Sequence, residues 1–392
     1  MHIEVVDSIE TVPAERWDQL AGSENPFLRH AFLHGLEVTG CVGPGTGWQP
    51  SHLLLRDEQQ RLLAAAPAYL KGHSRGEFVF DFSWADAYQR AGGAYYPKLV
   101  IAVPFTPATG PRVLHDMTIT RAEAARTIAD GMRAICLQQG LSSAHCLFAE
   151  EPEALEQADQ GLLLRLGCQF HWSNANYPDF DSFLAGFSSK KRKNVRRERR
   201  LARQDGASFD MVPGHRVTEA DWQHFVRFFT DTFHLYGNRP PLNAAFFRHL
   251  AENMGEQVLM AQARDADGLL LAAALLFRSE TTLYGRYWGC REERPGVHFE
   301  TCFYQGIEYC IRQGLQRFEP GAQGEHKIAR GFLPTATYSC HWLQDAGFRS
   351  AVADFLERET PMVHQYMQDL NGHMPYREPP TAAFDRPDQA LS

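Results

Sequence analysis

Apolar and polar positions fall in blocks along the chain, and one block plan occurs twice. Residues 51–70, SHLLLRDEQQRLLAAAPAYL, run apolar, polar, apolar, and residues 257–277, QVLMAQARDADGLLLAAALLF, repeat the order. Each block predicts an antiparallel hairpin with a polar turn. An aromatic-rich segment follows each copy, FVFDFSWADAY around Trp84 and TLYGRYWGC around Trp288. Leu63 and Leu271 lie 208 positions apart, Trp84 and Trp288 lie 204 apart, and the agreement predicts two copies of one α/β unit.

Helical periodicity fills the intervals. VHFETCFYQGIEYCIRQG places Phe299, Cys302 or Phe303, Ile307 or Gly306, and Cys310 on one stripe, with Gly314 as the C-cap, and LQRFEPGA then reads as a strand ending in a turn. TRAEAARTIADGMRAICLQQG supplies the matching helix of the first half, SSAHCLFAE a strand after it, and EEPEALEQADQGLLLRLG a further helix. TEADWQHFVRFFTDTF and NAAFFRHLAENMG are helices ahead of the second hairpin. The expected fold is α/β (α+β), each half a mixed, mostly antiparallel sheet flanked by helices.

Composition bounds the function. A chain of 392 residues with 44% hydrophobic and 22% charged residues suits two globular domains. No uncharged apolar run approaches the length of a membrane span, and the start MHIEVVDSIETVPAERW lacks a basic region followed by an apolar one, so a cytoplasmic protein with no membrane insertion is expected. Eight cysteines without a CxxC pair or a cluster with His predict neither disulfides nor a metal site, and Ser339 with His341 does not make a Ser-His-Asp triad.

Charge changes the picture at one place. The formal net charge is −8, yet residues 190–200 hold eight Lys or Arg and one Glu, a local +7. SSKKRKNVRRERR reads as a helix capped by Ser188 or Ser189, with Phe187, Val195, Leu201 and Ala202 on a packing stripe. Arg192, Arg196, Arg199 and Arg203 fall on another stripe, and Lys191 and Arg197 belong to the same run. Like charges at this spacing repel. Two readings answer the cost: a solvated helix neutralised by acidic residues elsewhere in the chain, or a phosphate-rich ligand held by guanidinium forks. The acidic remainder of the chain opposes DNA packaging.

A second candidate is EPGAQGEHKIARGF. Gly321 and Gly324 allow a tight turn after a strand where backbone N–H groups approach an anion; Lys327 and Arg330 add positive charge, and Glu325 and His326 can accept a proton. On alternating strand positions Tyr284, Arg286 and Trp288 share one face and Tyr287 takes the other; Arg286 then needs either a buried partner such as Glu300 or Glu319, or an open cleft. Asp81, Trp84, Asp86 and Tyr88 cluster in FDFSWADAY, His171, Trp172 and Asn174 precede the basic helix, and Arg239 sits in the loop HLYGNRPPL.

The stretches NPFLRHAFLHGLEVTGCVGPGTGW, FDFSWADAYQRAGGAYYPKL, PFTPATGPR, SSKKRKNVRRERR, LYGRYWGC and EPGAQGEHKIARGFLPTATYSCHW together resemble the FemAB-like peptidoglycan biosynthesis or recognition proteins, bacterial members of the GNAT-type acyltransferase superfamily. The resemblance covers residues 1 to about 370 and implies tandem GNAT-like domains at 1–170 and 207–376, joined by a segment 171–206 that carries the basic helix. The last helix of the second domain would pack on the first, and residues 377–392 form a flexible tail. It also implies that Lys327 stabilises the acyl-transfer intermediate or holds donor phosphate; His326 stands where relatives often carry an aromatic residue. An N-acyltransferase is expected, moving an acyl or aminoacyl group from acyl-CoA or aminoacyl-tRNA to a small-molecule or muropeptide amine in a cleft between domains, with tRNA as a possible partner and no metal. The familiar pyrophosphate loop of acyl-CoA enzymes is not found in clear form. The alternative is a non-catalytic module that recognises RNA or a phosphate-bearing cell-wall precursor.

Overall fold

A computed structural model of the chain describes residues 1–322 and 324–378; all but the first two residues of the expected flexible tail lie outside that range. The chain divides into two units. Unit 1 takes Met1–Cys168, Pro241–His249 and Ala336–Tyr366, and unit 2 takes Gln169–Pro240, Leu250–Thr335 and the chain from Met367.

The strands in order are β1 His2–Val6, β2 Trp48–Pro50, β3 His52–Arg56, β4 Leu62–Ala66, β5 Ala68–Lys71, β6 Lys98–Ile101, β7 Leu114–His115, β8 Ser143–Ala149 and β9 Leu163–Ser173. There follow β10 Ser208–Pro213, β11 Val258–Arg264, β12 Leu270–Arg278, β13 Thr282–Cys290, β14 Arg317–Glu319 and β15 Leu333–Leu343. Both expected hairpins form, β3–β4 in unit 1 and β11–β12 in unit 2, each antiparallel.

In unit 1, β1, β3, β4 and β7 make one antiparallel sheet, and β2, β5, β6, β8 and β15 follow one another in a second. Within the second, β6 and β8 run parallel, Leu99 opposite Ala144 and Ile101 opposite Cys146. Parallel neighbours need a crossover. The helix Arg121–Gln139 provides it, started by a capping box between Thr120 and Glu123 and stopped at Gly140, whose φ of 65° suits glycine. Its face of Ile128, Met132, Ile135 and Cys136 packs into one core with Leu99, Ile101, Ala144 and Cys146.

Unit 2 repeats the plan: β10 to β13 are successively antiparallel, then β13 and β14 run parallel, with β14 antiparallel to the end of β9. The crossover is the helical stretch 297–313, closed by Gly314 at φ 70°. It contains a π-turn, Glu300–Tyr304, a local widening common near functional sites. Tyr304 and Ile307 from it pack against Leu283 and Phe318. Each unit is therefore a GNAT-like α/β fold in which a helix joins two parallel strands.

Two local expectations fail. Trp84 does not match Trp288: it lies on a helix, Phe82–Arg90, inserted between β5 and β6, while Trp288 is on β13. The helix buries Trp84 and Ala85 with Leu343, Val352 and Leu356 of unit 1, so tertiary burial of one amphipathic face decides the state of an aromatic-rich segment. The helix expected through residue 167 stops at Asp159. Gly161 at φ 83° turns the chain, and the leucine-rich remainder enters β9. All eight cysteines are free. No helix among the described residues is long and apolar enough to cross a membrane.

Candidate functional site

The two strands of the parallel pair in unit 2 part after Tyr284 and Glu319, their last facing residues. Past that point β13 carries a bulge. Gly285 faces Leu276 and Tyr287 faces Leu275, leaving Arg286 as the extra residue, which breaks the strict alternation expected for this strand. Tyr287 packs on Phe229 at 5.3 Å and Trp288 on His298 at 5.0 Å, while Arg286 is half-buried with its guanidinium 5.2 Å from the Tyr287 ring.

From Glu319 the chain turns through Pro320 and Gly321, φ 100°, and Gly324, φ 115°, into the short helix Glu325–Arg330. Those φ values are ones a side chain resists. The turn buries Lys327 to 3% exposure and sets its Nζ 2.7 Å from Gly321 O, which accepts its hydrogen bond. Among the described residues no carboxylate lies within ion-pair distance of Nζ. Burial pushes the ammonium down to about 8. Buried cations usually carry an anionic partner.

Imidazoles surround this lysine. His298 is pushed down to about 4, mainly by burial and then by His326, Arg330 and Lys327. His171, on β9, is pushed down to about 3 by burial, Arg317 and Lys327; its Nε2 lies 3.2 Å from Gln169 Oε1 and 4.0 Å from Glu319 Oε2. The His326 ring is exposed, ranged against His298, Phe299 and Phe303 at 5.6 to 6.4 Å, and burial, Arg330 and Lys327 lower it too. The lowering favours the neutral imidazole at all three, and of them His326 is the exposed one. Glu325 is exposed.

Arg330 is tied down: its guanidinium lies 3.3 Å from the centre of the Phe299 ring and donates to His326 O and to Glu198 Oε1 at 2.8 Å. Glu198 is the one acid in the basic run and also accepts from the Tyr304 hydroxyl. The basic helix itself spans Ser189–Ala202, with Ser188 at the N-cap position but making no side-chain cap bond. Its arginines are unequal. Arg199 pairs with fully buried Glu300 at 3.0 Å and with Glu308 at 2.6 Å, Arg203 with Glu300 at 2.9 Å, and Arg196 with Asp181 at 3.1 Å. Arg192 reaches Ala185 O at 3.4 Å, and Lys191 is half-buried. Lys190, Lys193, Arg197 and Arg200 stay exposed on one stripe. Arg239 is exposed in its loop.

Asp81, Trp84 and Asp86 belong to unit 1, and the residues around Lys327 to unit 2. Asp81 is buried, and although burial alone would raise it, Lys98 at 2.5 Å holds its carboxyl far below the usual range. Trp84 packs on His341 and under the Arg165 guanidinium; Asp86 is exposed. His298 and, in unit 1, Lys98, Glu77 and His145 went unsingled in the sequence, and Cys302 and His341 were not read as site residues. One signal existed, a lysine opening the apolar run KLVIAV. No cluster of three metal-ligating side chains occurs among the described residues.

The FemAB-like family, described as peptidoglycan biosynthesis/recognition, matches residues 8–378. The C-terminal domain of a putative lysylphosphatidylglycerol synthetase from Agrobacterium fabrum is 13% identical with a TM-score of 0.53, over 88% of this chain and 95% of that one. A crystal structure of FemX is 11% identical with a TM-score of 0.53, over 90% of this chain and all of that one. These structural likenesses concern the fold. No curated protein matches by sequence.

Proposed function

The chain belongs to the FemAB-like family, and on that premise we propose that it is an N-acyltransferase whose transfer centre lies in unit 2, where β13 and β14 part. The observation that carries the proposal is Lys327, a buried ammonium whose one hydrogen-bond acceptor among the described residues is a backbone carbonyl. Such a cation is stabilised by an arriving anion, either donor phosphate or the oxyanion that forms when an amine attacks an activated carbonyl. Gly321 and Gly324 let main-chain N–H groups come close to the same place. A neutral imidazole takes the proton the amine sheds, and His326, exposed beside Lys327, suits that role; Glu325 stands next to it. Arg286, Tyr287 and Trp288 line the bulged strand and would contact the donor, while Arg330 fixes the loop.

The donor class we propose is aminoacyl-tRNA or acyl-CoA, and the acceptor class an amine on a small molecule or muropeptide. The described residues hold no membrane-spanning helix, and we place the reaction in the cytoplasm. A second reading, recognition of RNA or of a phosphate-bearing precursor without turnover, is favoured by the exposed stripe Lys190, Lys193, Arg197 and Arg200. The test separates them. Purified protein is incubated with acetyl-CoA or with aminoacylated tRNA and a UDP-linked muropeptide, and product is followed by mass spectrometry. Lys327→Met should lower turnover about 100-fold or more while retaining ligand; binding without turnover in the unaltered protein selects the second reading.

A further inference from the structure

A different surface, in unit 1, carries a separate inference. In Glu77–Phe82 the usual pattern is inverted: Glu77 and Asp81 are buried, while Phe78, Phe80 and Phe82 are 38%, 53% and 44% exposed. Buried charge beside exposed aromatics is the informative departure from normal burial. The inversion is enforced from beneath. Lys98, fully buried, donates to Glu77 Oε2 at 2.8 Å, Asp81 Oδ2 at 2.5 Å and Ser74 Oγ at 2.9 Å, and the Tyr95 hydroxyl donates to Asp81 at 2.7 Å. Arg165 holds Phe80 O at 2.9 Å. Phe78 sits at φ 61°, a conformation that a bulky residue adopts only when its surroundings impose it. Phe80 and Phe82 stack with centroids 6.3 Å apart. The segment is thus anchored at Glu77, Phe80 O and Asp81 with three phenyl rings exposed.

The helix that begins at Phe82 extends this surface. Its buried side carries Trp84 and Ala85, and Tyr88 packs on Phe348 at 4.6 Å. Its exposed side brings Asp86 and Gln89 into line with Phe82, with Arg90 alongside. Asp86, Gln89 and Arg90 line a shallow open pocket of about 350 Å³.

We propose that this surface binds a saccharide: a pyranose ring stacks its C–H face on Phe82 and Phe80, and its hydroxyls pair with Asp86, Gln89 and Arg90. One acid, one amide and one base supply both donors and acceptors in planar groups, which suits a neutral polyol. A phosphate or carboxylate ligand would meet Asp86. A bilayer surface calls for a run of cations around the aromatics, and the pocket offers a single arginine opposed by an aspartate. The site is independent of the acyl-transfer reading, since none of its residues is in unit 2.

The test uses the full chain and titration calorimetry with two soluble probes, chitotetraose and cellotetraose. At least one binds with a dissociation constant on the order of 1 mM, and Phe82→Ala weakens it roughly tenfold through loss of the stacking ring. Gln89→Ala, which leaves the aromatic segment intact, weakens it several-fold. Met117→Ala, exposed elsewhere in unit 1, changes nothing. Binding of neither sugar overturns the proposal, as does binding that survives both Phe82→Ala and Gln89→Ala. Adsorption to phosphatidylcholine vesicles that the same variants abolish, without sugar binding, assigns the rings to a lipid surface instead. A dimer that Phe82→Ala dissociates, again without sugar binding, assigns them to a second copy of the chain. Lys327→Met should leave sugar binding untouched, so failure of one reading is visible apart from failure of the other.

Discussion

The two parallel strand pairs share a topology and differ in what fills the place where their strands part. In unit 1, β6 pairs with β8 through Ile101, and the chain beyond it folds back over β8. Gly110 N–H bonds Phe148 O, and Arg112, fully buried, donates to Leu147 O, Ala108 O, Gly110 O and Pro111 O. Glu153 secures the same segment by accepting from the Arg112 and Val113 amides. In unit 2 the chain after Glu319 turns away through Gly321, the facing strand bulges at Arg286, and the buried group nearby is Lys327 rather than a fully bonded arginine. One cation bonds four carbonyls; the other holds a single carbonyl. Unit 1 also holds a buried lysine with one carbonyl acceptor, Lys71 on Arg75 O at 3.2 Å, so the contrast concerns the place where the parallel strands part: a duplicated fold can keep its framework in both copies and differ in the cation set there.

The largest expected effect comes from Lys327. Lys327→Met should cut turnover about 100-fold or more in single-turnover assays, with the melting midpoint unchanged or raised because an uncompensated buried charge has gone. An unchanged rate would dissolve the functional distinction between the units. Next in size is Arg112→Ala. Four carbonyls lose their donor, and unfolding by denaturant should reveal a loss of about 3 kcal/mol or more; a loss under about 0.5 kcal/mol would mean that the unit 1 segment is not held shut by this side chain.

Then comes the pH profile. Burial lowers Lys327 from its ordinary value of 10.5 to about 8. The folded protein therefore binds fewer protons than the unfolded one between those values, and this lysine's penalty on stability, full below about 8, fades as pH rises toward 10.5. Activity should move the other way. If the charged form is required, kcat/KM falls as pH rises through about 8, and Lys327→Arg moves that limb upward by restoring a permanent cation. A falling limb that stays put in Lys327→Arg would assign it to another group. The smallest effect belongs to the exposed stripe: Lys193→Glu with Arg197→Glu should alter stability by no more than about 0.5 kcal/mol while reducing the salt dependence of tRNA binding. An unaltered salt dependence would leave those cations as a solvated face.

Much of the framework was legible because it rests on local periodicity. The two hairpins, the helix 121–139 and the helix ending at Gly314 follow from apolar spacing and, at Gly314, a glycine C-cap. The pairing of Trp84 with Trp288 failed because an aromatic-rich run of eleven residues satisfies either period, and the packing of Trp84 on Val352 and Leu356, more than 260 positions away, decides it. The basic helix was read half correctly. Of its packing stripe, Phe187, Val195 and Ala202 are buried and Leu201 is half-buried, but the arginine stripe divides, since Glu300 from a distant π-turn and Glu308 from the helix after it neutralise Arg199 and Arg203. The exposed cations that pair with no carboxylate among the described residues are Lys190, Lys193, Arg197 and Arg200 on the neighbouring stripe, while Arg196 and Arg203 are exposed but paired. Arg286 escaped the alternation rule because one bulged residue shifts every position after it. The closed state of unit 1 was not legible, because PFTPATGPR gives no sign that its arginine will turn back to bond the carbonyls around it.

The central claim is that donor handling belongs to unit 2. Amide hydrogen exchange on the full chain, with saturating acetyl-CoA and separately with aminoacylated tRNA, tests it directly. The account predicts new protection at 285–288 and 320–331 with the productive donor and none at 103–112 or 147–148. Protection confined to the unit 1 segments, with 320–331 exchanging as in the free protein, would contradict it.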